Sequence, residues 1–234
     1  MTAPLIQIPA LGCDEGLYAP FNAALPESIS TQIIIPIADR MAACTGQVLV
    51  QAPETFILMG TSFGGRVAME VALSAPARVK ALIISGAGPG PVADPAAGLK
   101  RSSRARGGEF EAVVQEMGNI ISHLPGPRGH EAMDAFRAMS RKLGAENFAL
   151  QSDALAHRTD ISPRLSEIRC PVLCLWGDHD QFSPPDTAKK IATAVFNGSA
   201  VVLKHCGHLP MLEYPEEAAK VVGDWLQVQS HTWR

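Results

Sequence analysis

Ser62 stands in Gly60-Thr61-Ser62-Phe63-Gly64, a Gly-x-Ser-x-Gly motif. Two loops further along carry the other groups that acyl chemistry needs: Gly177-Asp178-His179-Asp180-Gln181-Phe182-Ser183-Pro184 and Lys204-His205-Cys206-Gly207-His208-Leu209-Pro210. A serine hydroxyl at its ordinary pKa is a poor nucleophile. It needs an imidazole to take its proton and a carboxylate to orient that imidazole. Serine, then acid, then histidine is one chain order in which such a set occurs. Residue type alone leaves the acid open between Asp178 and Asp180, and the base between His205 and His208.

The elements around Ser62 give the short motif its weight. Phe56-Ile57-Leu58-Met59 is a brief unbroken apolar run, as expected of a central parallel strand buried on both faces. After the motif, Val67, Ala68, Val71 and Ala72 recur at helical spacing as far as Pro76, with Arg66 and Glu70 one turn apart. A strand, a tight turn and a helix therefore meet at Ser62. Glycines on either side let the backbone turn sharply without a Cβ clash and expose the hydroxyl.

Similar apolar runs at Leu5 to Ile8, Gln32 to Ile35, Ala81 to Ser85, Val172 to Trp176 and Ala200 to Leu203 alternate with helical patterns. That rhythm implies βα units and a parallel sheet, an α/β fold. The last helix opens at Pro215, with Glu216 and Glu217 in its first turn and Ala218, Val221, Val222, Trp225 and Leu226 on its inner face. Between Ser85 and Val172 no good strand occurs. Helical segments are expected near Ala96 to Arg106, Phe110 to His123, Arg128 to Leu143 and Glu146 to Ala156. Residues 91–164 are therefore expected to form a helical cap over the carboxyl edge of a core made of residues 1–90 and 165–234. Gly86-Ala87-Gly88-Pro89-Gly90-Pro91 lacks the Gly-Lys-Ser/Thr of a phosphate loop and is expected to be a structural connection into the cap.

The 234 residues, 47% hydrophobic and 18% charged, can bury a full core. A net charge of −3 draws the chain neither to nucleic acid nor to an acidic membrane, so a small-molecule ligand is expected. No secretory signal pattern and no apolar run of about 20 residues occurs, which predicts a cytoplasmic location. Cys13, Cys44, Cys170, Cys174 and Cys206 are expected to be free thiols.

The elbow, the acid loop and the histidine loop together resemble the α/β-hydrolase family, in particular its small capped carboxylesterase and enol-lactonase-like members. The family's Gly-x-x-Asp with a following proline corresponds to Gly177, Asp180 and Pro184. Its Gly-His with a downstream acid and proline corresponds to Gly207, His208, Glu213 and Pro215. The resemblance implies Ser62 as nucleophile, Asp180 as acid and His208 as base, and an oxyanion hole made by the Phe63 and Leu11 amides. Pro9-Ala10 stands where the family has His-Gly, without the usual glycine. Asp178 is then expected to satisfy loop amides and His205 to be structural; His-Cys-Gly-His is too short and tightly spaced for a tetrahedral metal set.

The resemblance further implies a reduced α/β-hydrolase fold, with about six strands, helices on both faces and a helical cap after the fourth strand. The strand near Ile33-Ile34-Ile35-Pro36-Ile37 would lie at an edge, and its apolarity suggests cover by a second copy of the chain. Among the basic residues near the cap, Lys100, Arg101, Arg104 and Arg106 read chiefly as a solvated face. Arg158, in a stretch (Gln151, Ala154, Arg158, Asp160) that resembles the cap exit of related esterases, is the candidate for holding a substrate carboxylate. The implied activity is hydrolysis of a small ester or lactone through an acyl-enzyme, with no metal or organic cofactor. The same triad also serves C–C bond hydrolysis, thioester cleavage and perhydrolysis, and some relatives only bind ligands.

Overall fold

Six apolar runs form strands: β1 (Leu5–Ile8), β2 (Thr31–Ile33), β3 (Phe56–Thr61), β4 (Val79–Ser85), β5 (Pro171–Gly177) and β6 (Asn197–Leu203). In a computed structural model that describes residues 3–92 and 94–230, these make one sheet in the order β2-β1-β3-β4-β5-β6, with every neighbouring pair parallel. The strand order reverses between β1 and β3. Loops leaving the carboxyl ends of those two strands diverge there, and open α/β sheets place their ligand crevice at such a point.

Strand alternation sorts the core into two layers. Ile6, Ile8, Leu58, Leu82, Ile84, Val172 and Trp176 face α2 (Met41–Gln51), α3 (Phe63–Ser74) and α8 (Asp186–Ala194). Leu5, Ile57, Met59, Ala81, Ile83, Leu173 and Leu175 face α1 (Ala19–Ala24) and α10 (Pro215–Gln229). As expected, α10 begins at Pro215; Ala218, Val222 and Leu226 are buried, and Val221 and Trp225 pack at its flank.

The chain between β4 and β5 is helical: α4 (Pro95–Arg104), α5 (Phe110–Ile121), α6 (Gly129–Leu143) and α7 (Ala145–Ala156). The first helix stops two residues short of the expected Arg106. A wide turn over Ala105–Glu109 comes next, with Gly108 at φ 94°, and lets α5 fold back. Pairs α4–α7 and α5–α6 pack together, while α6 sends Phe136 and Met139 into the second core layer. The short α9 (Pro210–Glu213) follows the histidine loop.

The second strand is shorter than the expected Gln32 to Ile35. Regular pairing ends at Ile33, although the Ile34 amide still reaches the Gln7 carbonyl at 2.9 Å. Beyond it Ile34 and Pro36 are buried, and Ile33, Ile35 and Ile37 half-buried. Gln47 holds both the amide and the carbonyl of Ile37, so this edge packs much of its apolar surface within the chain. No helix among the described residues is long and apolar enough to cross a membrane.

Candidate active site

The turn from β3 into α3 is set by close backbone approach. A Cβ on Gly60 would lie 2.2 Å from the Gly64 carbonyl oxygen, and one on Gly64 would lie 2.0 Å from that of Ile8. Only glycine fits either position. Between them Ser62 takes φ 55° and ψ −114°, a conformation an L-residue keeps only where its surroundings impose it. Its amide donates to the Ser85 carbonyl at 2.7 Å, and its carbonyl accepts from the Arg66 amide at 3.0 Å. Beneath the turn the buried Tyr18 hydroxyl ties the ends of β1 and β3, at 2.9 Å from both the Ile8 carbonyl and Thr61 Oγ1.

Parallel strands bring the other two loops to the same sheet edge. Asp180 Oδ1 accepts from the amides of Phe182 (2.8 Å) and Ser183 (2.9 Å), and its Oδ2 faces His208 Nδ1 at 2.8 Å. Both residues are buried. With Nδ1 engaged by the carboxylate, Nε2 is the imidazole nitrogen left for other chemistry, and His208 and Ser62 line the same cavity. Asp178 does not join them. It accepts from the Cys206 amide (3.3 Å) and stands 3.7 Å from Lys204. Burial works to raise its pKa, but the Cys206 amide, His179 and Lys204 outweigh that and hold it low. His205 is exposed, with φ 54°, and its ring lies among those of His123 and His179 instead of in the cavity.

Glu213 fixes the histidine loop. Its buried carboxylate accepts from the amides of His123 (2.9 Å), Gly207 (2.8 Å) and Leu209 (3.1 Å). It thus joins the loop after α5 to the segment that carries His208, although burial still pushes its pKa up.

Phe63 and Leu11, both buried, border the cavity on either side of the elbow. Among the described residues neither amide donates to a protein acceptor. Unpaired amides in two residues that border one cavity can receive an anionic oxygen. The Leu11 loop is held from the helical insert: Gly12, at φ 75°, donates to Gln151 Oε1 (3.0 Å) and accepts from Ser140 Oγ (3.0 Å).

The cavity measures about 850 Å³ and runs from Ser62 and His208 to Arg66, Arg101 and Arg158. Arg66, 1% exposed, donates to the carbonyls of Pro89, Gly90 and Thr159 and pairs with Glu70. It locks the glycine-proline loop and the exit of the insert onto α3, which gives that loop the structural role expected of it. Arg104 and Arg106 are paired with Glu109 and Glu116, and with Glu146 and Asp153. Arg101 instead donates to Ser152 Oγ (3.0 Å), and Arg158 to the Gly90 carbonyl (3.0 Å); among the described residues neither has a carboxylate partner. Burial, then the charges of Arg66 and Arg101, pulls the Arg158 pKa down to about 10. Guanidiniums short of counter-charge beside a cavity make it receptive to an anion. All five cysteines are free, and none lines the cavity.

The structure thus brings together Ser62, Asp180, His208, Phe63, Leu11 and Arg158. Sequence reasoning missed Tyr18, Gly12, Gly86, Arg66 and Arg101 as parts of the site. Their contacts span long stretches of chain, and only the positive φ of the two glycines has a local signal.

Comparison with known proteins places these features in a family. The profile described as "Alpha/beta hydrolase family" matches residues 11–221. A 2-hydroxy-6-oxononadienedioate/2-hydroxy-6-oxononatrienedioate hydrolase from Dechloromonas aromatica (strain RCB) is 29% identical over 180 residues, covering 72% of this chain and 61% of that protein. One from Pseudomonas putida is 28% identical over 179 residues, covering 72% and 62%. The chain spans about three fifths of the length of these curated relatives. Among solved structures, an esterase from Thermogutta terrifontis with malate bound superposes with a TM-score of 0.86 at 21% identity, covering 98% of this chain and 91% of that one. The enol-lactonase from Burkholderia xenovorans LB400 gives 0.84 at 21% identity, covering 97% and 92%. At such identities the likeness is one of fold.

Proposed function

The chain belongs to the alpha/beta hydrolase family, and within that family we propose that it is a serine hydrolase acting on a small ester or lactone that carries a carboxylate. The observation that carries this reading is the buried His208–Asp180 contact at 2.8 Å, with His208 and a strained Ser62 lining one cavity. Ser62 Oγ attacks the carbonyl carbon while His208 Nε2 takes its proton. Asp180 holds the tautomer that leaves Nε2 free to accept and stabilises the imidazolium that forms. Negative charge on the former carbonyl oxygen is received by the Phe63 and Leu11 amides, each such donor worth about 3 kcal/mol in comparable sites. The imidazolium then protonates the leaving oxygen. Water, deprotonated by His208, releases the acid from the acyl-enzyme and restores Ser62. Arg158 and Arg101 hold the substrate's carboxylate away from the reacting carbon, and helices α4 to α7 act as the cap that covers it.

A second reading has specific support. Relatives matched in sequence are named as hydrolases of oxononadienedioates, dicarboxylates bearing a ketone, so the bond cleaved would be C–C. The esterase superposed on this chain has malate, another dicarboxylate, bound. Both agree with a cationic cavity, and they differ over the leaving group.

The test is hydrolysis of a p-nitrophenyl ester series, neutral and acidic, beside a vinylogous 1,5-diketo acid, each with wild type and Ser62→Ala. Loss of about 10³-fold or more in kcat/KM in the variant is expected on the preferred substrate. Unchanged turnover would overturn the serine mechanism. A preference for the diketo acid would replace ester hydrolysis by C–C cleavage.

A further inference from the structure

The arrangement of His123, His179 and His205 points to a metal site distinct from the cavity, one that we infer binds a divalent ion of the zinc class through three imidazoles. One ligand nitrogen from each ring lies within 4.8 Å of the other two. The rings of His123 and His179 stack at 3.9 Å with 13° between planes, and His205 lies 6.4 Å and 6.2 Å from them. Tetrahedral zinc with bonds of about 2.0–2.1 Å needs nitrogens roughly 3.3 Å apart. Because the rings lie nearly parallel, binding requires them to turn out of the stack until their in-plane lone pairs converge, and His179 and His205 are both exposed, with room to turn.

Short sequence spacing argued against a metal because it counted only His205, Cys206 and His208. Folding supplies the missing ligands from two other loops. The backbone is built to bring these loops together. A Cβ on Gly207 would lie 2.5 Å from the His123 amide nitrogen, so the loops meet in direct backbone contact. The His179 amide donates to the Cys206 carbonyl at 2.8 Å, and Glu213 accepts from both His123 and Gly207.

Three further features favour a cation. Among the described residues, the ring nitrogens of His123 and His205 have no hydrogen-bond partner, so the rings meet only face to face and these nitrogens are open to a ligand. His205 holds a left-handed φ of 54°, uncommon outside glycine. Asp178 Oδ1 stands 3.8 Å from His179 Nε2 and supplies negative charge at the rim, partly offset by the exposed Lys204 at 3.7 Å from its other oxygen. Water completes the coordination, since three protein ligands leave a position open. Occupancy would tie the loop after α5 to the two loops that carry Asp180 and His208.

The test uses untagged protein freed of metal by chelation. Equilibrium dialysis against Zn²⁺, and a Co²⁺ titration followed by its visible absorption, should show one ion per chain and a rise in Tm on binding. His123→Gln, His179→Gln and His205→Asn, the last chosen because asparagine tolerates the left-handed region, should each weaken binding at least about tenfold. His130→Gln, exposed and outside the three-imidazole group, should leave it unchanged. Circular dichroism of the metal-free variants verifies their fold. No uptake by the wild type, or equal uptake by the triple variant, would overturn the site. Neither outcome depends on which bond the enzyme cleaves.

Discussion

Gly86→Ala should displace the His208–Asp180 pair by steric contact. Gly86 lies at φ 61°, and a Cβ there would stand 2.7 Å from His208 Cε1, 2.9 Å from Nδ1 and 3.3 Å from Asp180 Oδ2. Ordinary contact begins near 3.4 Å, so the ring must retreat by about 0.7 Å. It has little room, since His208 is 2% exposed and its ring packs on Phe182 with centroids 4.9 Å apart. The displacement therefore stretches the 2.8 Å bond to Asp180 or carries Nε2 away from Ser62. A misplacement of about 1 Å in a reacting constellation can reduce rate roughly 10²-fold. Alanine in the left-handed region adds about 1–2 kcal/mol of destabilisation, or a Tm lower by roughly 2–8 °C for a domain of this size. Gly88→Ala is the control, because its Cβ meets only Thr187 Cγ2 at 3.7 Å. With p-nitrophenyl acetate, kcat should fall roughly 30- to 300-fold in Gly86→Ala with KM nearly unchanged, and Gly88→Ala should resemble the wild type. A folded Gly86→Ala enzyme with kcat within about threefold of wild type would refute the reasoning, as would an equal loss in Gly88→Ala.

Asp180→Asn keeps an oxygen for the Phe182 and Ser183 amides but turns an NH₂ toward His208 Nδ1. That selects the wrong tautomer, and kcat should drop about 10³- to 10⁴-fold with little change in Tm; full activity would dissociate Asp180 from catalysis. Arg158→Gln should lower kcat/KM about 10- to 100-fold on a hemisuccinate ester and hardly at all on the neutral ester of equal length, whereas equal losses on both would remove its carboxylate role. Glu213→Gln leaves one oxygen for three amides; unfolding by urea should show at least about 2 kcal/mol of lost stability, and an unchanged midpoint would contradict its anchoring role. Gly64→Ala, whose Cβ would fall 2.0 Å from the Ile8 carbonyl, should yield little folded protein by gel filtration, and a stable, active variant would mean that the elbow is less constrained than its contacts imply.

Where sequence and structure agree, the signal was local. Phe56 to Met59 read as a doubly buried strand because no polar residue interrupts it, and the insert's helices read within a few residues because their apolar positions repeat at helical spacing. The errors lie where local patterns end. The helix expected to reach Arg106 stops at Arg104, where a wide turn begins that is closed by Gly108 and by pairing of Arg104 with Glu109 and Glu116. The second strand shortens because Ile34 leaves the edge to enter the core. The basic cluster looked uniform, yet its members part company: Arg104 and Arg106 meet carboxylates, whereas Arg101 turns into the cavity.

Sequence by itself determined the α/β class, the strained serine turn and the two loops from which acid and base must come. These arise from periodicity and from the backbone demands of glycine and proline, which act over a few residues. Tertiary structure alone decided which carboxylate faces which imidazole: Asp178 and Asp180 are two residues apart, yet one serves the Cys206 amide and the other His208. It also decided that Arg66 would knit α3 to the cavity rim and that His123, His179 and His205 would meet. Such contacts join residues up to 93 positions apart. Their geometry depends on how a parallel sheet stacks its loops at one edge, which no local pattern encodes.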